Sequence, residues 1–178
     1  MKMLKKLLAV VLTGAMALTL LTACGSNAVT EKDIADAMND MAKATEEGVT
    51  FTPRAKEREM AKAIAALSDE DLKELEESLK NSSLPEKAKE ILGINAGGAN
   101  ANNFVWCGAT YTDELGTSGQ ALNFMTQVMD KSANADKLRG KNPADDRYMG
   151  TALYKTVDEN GKQVTKRIIV VTAEAVDE

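Results

Sequence analysis

The chain predicts an α+β protein in which helices come first and a small antiparallel sheet follows, closed by a C-terminal hairpin with a helix packed on it. Three observations carry that prediction. Residues 31–93 hold a succession of capped amphipathic helical patterns. Residues 94–103, almost entirely Ala, Gly and Asn, read as a linker or exposed loop. Within residues 104–178, the runs Tyr148 to Val157 and Gln163 to Ala173 flank Asp158-Glu159-Asn160-Gly161, and Asn-Gly is the preferred tight hairpin turn. Helices and strands kept to separate stretches indicate α+β.

The first residues are set apart from the fold. Lys2, Lys5 and Lys6 form a basic head, Leu7 to Leu21 is an apolar run, and the small residue Ala23 precedes Cys24. A basic head, a short apolar middle and a small-residue exit make a secretory signal peptide. The apolar run is shorter than the ~20 residues of a membrane-spanning helix. Leu21-Thr22-Ala23-Cys24, followed by Gly25-Ser26, resembles the lipobox of bacterial lipoproteins. The resemblance implies that residues 1–23 are removed, that the Cys24 sulfur carries a diacylglycerol, and that residues 24–30 tether the protein to membrane lipid. An ordinary secretory signal with a chance Cys is the alternative. One acyl chain holds a protein marginally and two hold it stably, so a diacylglyceryl group implies an extracytoplasmic protein on the membrane that does not cross it.

The helical elements follow in order. Thr30 and Asp33 have the spacing of a capping box, and Ile34, Met38 and Met41 give the helix after them an apolar stripe. Gly48 is the expected stop. Thr52-Pro53 reads as the N-cap and first position of a second helix, with Met60, Ile64 and Leu67 on one face. Ser68 caps a third, whose first turn is acidic as the dipole favours. Leu72, Leu75 and Leu79 line one side of it, and Glu74, Glu76 and Glu77 read as its solvated face. Ser83 and Glu86 form a further capping box before a short helix through Ile91.

In the second part, Phe104 to Tyr111 is apolar and aromatic and reads as a strand. Gly116 to Gly119 leads into a helix with Ala121, Leu122, Met125 and Val128 on one face, and Asn142-Pro143 with Asp145-Asp146 reads as a loop. Ile168 to Val171 is apolar at every position, the pattern of a strand covered on both faces. A two-residue loop at Asn160-Gly161 would place Lys155 opposite Lys166, an unfavourable like-charge pair. A longer loop would shift that register.

Composition limits function. The signal holds 3 of the 22 Lys and Arg and none of the 27 Asp and Glu, so the remainder carries a formal charge of 19 − 27 = −8. That balance argues against nucleic acid or anionic lipid as a general partner. The chain has no His, the commonest general base and transition-metal ligand. No nucleophile, P-loop or calcium-loop motif is present, and neither a metal nor a cofactor is expected. Of the two Cys, Cys107 lies in the apolar run Phe104-Val105-Trp106-Cys107 and is expected to be a buried packing residue. Asp145, Asp146, Asp158 and Glu159 are at most weak ligands for a hard cation.

Residues from about Tyr111 to Ala173 also resemble the latter half of a CAP (cysteine-rich secretory, antigen 5, pathogenesis-related) domain. Glu114, the Ala121-Leu122-x-x-Met125 helix, Leu138, and Gly150-Thr151-Ala152 opening a closing hairpin carry the resemblance. It implies an α–β–α sandwich and a candidate cleft at Glu114. The family's cleft often holds two His and Glu residues, and here both His are absent. Three function classes stay open: a non-catalytic binding or scaffolding lipoprotein with an unidentified protein or envelope ligand, a degenerate CAP-like domain binding such a ligand, and an enzyme with an acid-based site. Absence of His favours the first.

Overall fold

The computed structural model describes residues 29–45, 48–80, 83–94, 103–112, 115–128 and 140–177. Along the chain they form α1 (Glu31–Ala44), β1 (Thr50–Pro53), α2 (Ala55–Ala65), α3 (Asp69–Lys80), α4 (Glu86–Ile91), β2 (Asn103–Tyr111), α5 (Thr117–Val128), β3 (Lys141–Val157) and β4 (Gln163–Asp177). The fold is α+β, with a four-stranded sheet in the order β1-β3-β4-β2. The β3–β4 hairpin and the β2–β4 pair are antiparallel. The sheet is mixed rather than wholly antiparallel, because β1 runs parallel to β3.

β4 lies between two hydrophobic cores. Its side chains alternate across the sheet, so Ile169, Val171 and Ala173 join α1, α5, Phe51, Phe104 and Trp106 on one face. Ile168 and Val170 join α2, α3, α4, Val105 and Cys107 on the other. All four residues from Ile168 to Val171 are fully buried, each contributing about 1.5–3 kcal/mol by leaving water. The unbroken apolar run is thus the signature of a strand covered on both sides. α2 approaches one face closely at Gly150: a Cβ there would lie 2.0 Å from Arg58 N and 2.2 Å from Glu57 C. Only glycine lets the helix backbone come so near the strand.

The outer edges of the sheet are closed by side chains. The carboxamide of Asn39 on α1 pairs with the backbone of Phe51 in β1, accepting its N–H at 2.6 Å and donating to its carbonyl at 3.0 Å. Gln127 on α5 does the same to Ala109 in β2, at 3.1 and 3.3 Å. Beyond Met149, where β1 ends, Glu31 accepts the N–H of Thr151 at 2.7 Å. Its other oxygen accepts from Arg58 at 2.6 Å, so Glu31 also links α1 to α2 around the edge of β3. Each contact occupies backbone groups that would otherwise template another strand.

Local chemistry explains most element boundaries. The capping box at Thr30 and Asp33 forms as its spacing indicates. Ser68 accepts the Asp71 N–H at 3.2 Å at the start of α3. Three expectations need correction. Residues 31–93 are not helical throughout: Thr52 and Pro53 close β1, and the N-cap of α2 is Arg54. Arg54 N donates to the Met149 carbonyl at 2.8 Å, which prolongs the ladder and delays the helix. Ser83 does not cap α4. Its hydroxyl donates to the Ser78 carbonyl at 3.1 Å, and Pro85 is the N-cap. Asn142-Pro143 and Asp145-Asp146 are not a loop but part of β3, which absorbs the proline through a bulge between Pro143 and Arg147. The hairpin loop is longer than two residues. Asp158 Oδ1 accepts the N–H groups of Asn160 and Lys162 at 2.9 Å each, and Gly161 takes φ +79°. Val157 pairs with Gln163, so Lys155 faces Thr165 and Tyr154 faces Lys166. The like-charge pair is thereby avoided.

Arg167 and Glu57 are among the charged side chains buried inside the layers. Arg167 on β4 donates to Gln120 at 3.0 Å, Thr151 at 3.1 Å and the Val29 carbonyl at 2.7 Å. Burial pulls its pKa down, while Glu31 and Asp33 work against that. Glu57 on α2 is fully buried. It accepts from Arg54 at 2.7 and 2.5 Å and from Thr172 at 2.7 Å. Burial disfavours its charge, but these bonds outweigh burial and hold the carboxyl below the ordinary glutamate value of 4.5. The bonds therefore stabilise the fold fully above that pH, and the contribution is lost as pH falls through the folded-state value. Glu57→Gln is expected to cost about 2 kcal/mol at neutral pH, with the gap from the parent narrowing below pH 4.5. Urea unfolding across pH measures this, and a gap that stays constant into acid would contradict it.

Candidate functional site

Among the described residues, a groove of about 320 Å³ lies at the hairpin end of the sheet. Glu76 and Leu79 of α3, Ala109 and Tyr111 of β2, Asp158 of the hairpin loop and Lys166 of β4 are among its walls. The hairpin register builds its floor, because Tyr154 and Lys166 are strand partners facing α3. Glu76 takes both: Oε1 accepts the Tyr154 hydroxyl at 2.7 Å, and Oε2 accepts Lys166 Nζ at 2.5 Å. The ammonium also lies 4.4 Å from the centroid of the Tyr111 ring, within cation–π range. Tyr111 itself is 41 % exposed, so the groove presents one aromatic face over a paired acid and base.

Burial first, and then the bond to Glu76, push the Tyr154 phenol well above its ordinary range. Cys107 lies beneath, packed in the same core as Tyr154. It is unpaired and buried, as its apolar run indicates, and burial pushes its thiol up to about 12. A thiol held protonated is a poor nucleophile, so it packs rather than reacts.

Glu76 was legible only as part of a solvated face, and that reading is corrected here. It follows Leu75, and it lies four residues after Leu72 and three before Leu79. It therefore flanks the apolar stripe and can fold inward. Its partners lie 78 and 90 residues away along the chain, a separation no local pattern reveals. The acidic residues of β3 and its loop do not converge. Asp146 sits beside β1, where it accepts the Thr50 hydroxyl at 2.9 Å, whereas Asp158 holds the hairpin loop at the other end of the strand. Among the described residues, no three His, Cys, Asp or Glu side chains come together as a metal site would require. Cys24, Glu114 and Leu138 lie outside the described residues.

No protein-family model matches the chain, and neither a curated protein nor a solved structure is detectably similar to it.

The groove makes a prediction about its own floor. Lys166→Met leaves Glu76 charged and half-buried with one partner fewer, at an expected cost of about 1–3 kcal/mol. Adding Glu76→Gln removes the stranded charge and should recover part of that loss. Urea unfolding of the two single variants and the double variant reads the coupling. Strictly additive losses would mean that the pair contributes nothing as a pair.

Proposed function

We propose that the chain is a lipid-anchored protein of the bacterial cell envelope that binds or scaffolds rather than catalyses. The observation that carries this reading is Leu21-Thr22-Ala23-Cys24 behind a basic head and an apolar run. Among the described residues, no helix is long and apolar enough to cross a membrane. The groove over Glu76 and Lys166 is the contact site we assign to the ligand. Its volume falls at the small end of ligand pockets, suiting a compact molecule or one or two side chains of a partner. Its acid and base are held to each other at 2.5 Å, an arrangement suited to recognition more than to proton transfer.

A degenerate CAP-like domain is the second reading, favoured by one observation. Helices cover both faces of the sheet, the layering that resemblance implies.

Anchoring is tested directly by Cys24→Ser. The parent should take up labelled fatty acid and sediment with membranes. The variant should take up none and appear in the soluble fraction or the medium. Labelling and membrane retention unchanged in the variant would end the lipoprotein reading.

A further inference from the structure

The hairpin has two unlike faces. On the side of α3, Tyr154, Val164 and Lys166 are buried. The opposite side carries the pairs Leu153–Arg167, Lys155–Thr165 and Val157–Gln163. There Arg167 is covered, but Leu153 is 55 % exposed, Lys155 is exposed, and Val157, at the strand end where it also borders the groove, is 47 % exposed. α1 and α5, which cover this side elsewhere, do not extend over it.

The chain enters the fold beside this bare surface. Val29 packs on the α1–α5 core, and its carbonyl accepts from Arg167, the strand partner of Leu153, at 2.7 Å. Five Cα steps separate Val29 from Cys24. Whatever path they take, they span at most about 18 Å. The other end of β4 lies farther off: Arg167 to Asp177 is ten Cα steps of strand, or about 33 Å. A lipid on Cys24 therefore holds the Leu153 surface, next to the tether's point of entry, close to a bilayer and places no such constraint on the Asp177 end.

We infer that the exposed hairpin face bearing Leu153, Lys155 and Val157 is the membrane-facing surface of the anchored protein, resting on the phospholipid headgroups. The inference rests on lipidation of Cys24. Leu153 and Val157 supply apolar contact with the interface, and Lys155 supplies a cation for lipid phosphate. Proximity set by the tether makes the contact effective, since the net charge of −8 gives the untethered domain no general attraction to anionic lipid.

The test uses the full chain, processed in a bacterium and reconstituted in vesicles of phosphatidylcholine and phosphatidylglycerol. An environment-sensitive fluorophore is placed at Leu153→Cys or at Val176→Cys, and spin-labelled phospholipid is the quencher. Val176 is the matched control, an apolar residue 42 % exposed at the far end of β4. Quenching at position 153 should exceed that at 176 by about twofold or more, since the proposed orientation rests position 153 on the headgroups while position 176 lies about 30 Å along β4 from the tethered end. Equal quenching, or stronger quenching at 176, in protein that floats with the vesicles and carries a diacylglyceryl mass on Cys24 would overturn this inference alone. Protein that carries no lipid and does not float would overturn the anchoring reading and this inference with it.

Discussion

The fold depends on the need to cover Ile168 to Val171 on both faces. A strand with apolar side chains pointing both ways cannot sit at a surface or line a one-sided sheet. It must lie between two helical layers, and the order of the chain follows from that. α1 covers one face, β1 carries the chain along the sheet edge, α2 to α4 cover the other face, and α5 returns to the first. Neither layer has a floor without β4, so the two cores are coupled through a single strand.

Covering both faces leaves the edges of a four-stranded sheet to be managed. Asn39 and Gln127 each act as one peptide unit of a missing neighbour, and Glu31 takes the amide that β1 is too short to reach. These three residues come from α1 and α5, which face the same core. The edge contacts are thus made by the helices already needed to cover β4. The buried ions have a related role. Glu57 ties α2 to Arg54 and to Thr172 of β4, and Arg167 ties β4 to α5 and to the incoming chain. Each fixes where a helix or the tether meets the sheet, which burial of apolar surface alone leaves loosely specified.

The sequence shows best those features that local chemistry determines. The Thr30–Asp33 box, the Ser68 cap, the apolar run of β4 and the hairpin all follow from residues a few positions apart. Thr50–Pro53 escapes, because four residues are too few to show alternation and Thr-Pro imitates a helix start. The bulge that admits Pro143 to β3 escapes because it depends on pairing with distant strands. The hairpin register is half-legible: the clash of Lys155 with Lys166 argues against a two-residue loop, but only the bonds from Asp158 show what replaces it. The groove was illegible, since Glu76, Tyr154 and Lys166 meet through a helix and a hairpin far apart in sequence. The proposed lipid attachment, in contrast, rests on sequence alone.

Arg167 holds the incoming Val29 beside the hairpin that forms the groove. The groove and the point where the chain enters the fold thus lie at the same end of β4. The central claim is that β4 makes the two layers a single cooperative unit. Native-state hydrogen exchange in increasing denaturant measures this residue by residue. The slow amides of α1, α3 and β4 are predicted to converge on one unfolding free energy, equal to that of global unfolding. Opening of α2 to α4 at a distinctly lower free energy, with α1, α5 and β4 still protected, would contradict the account.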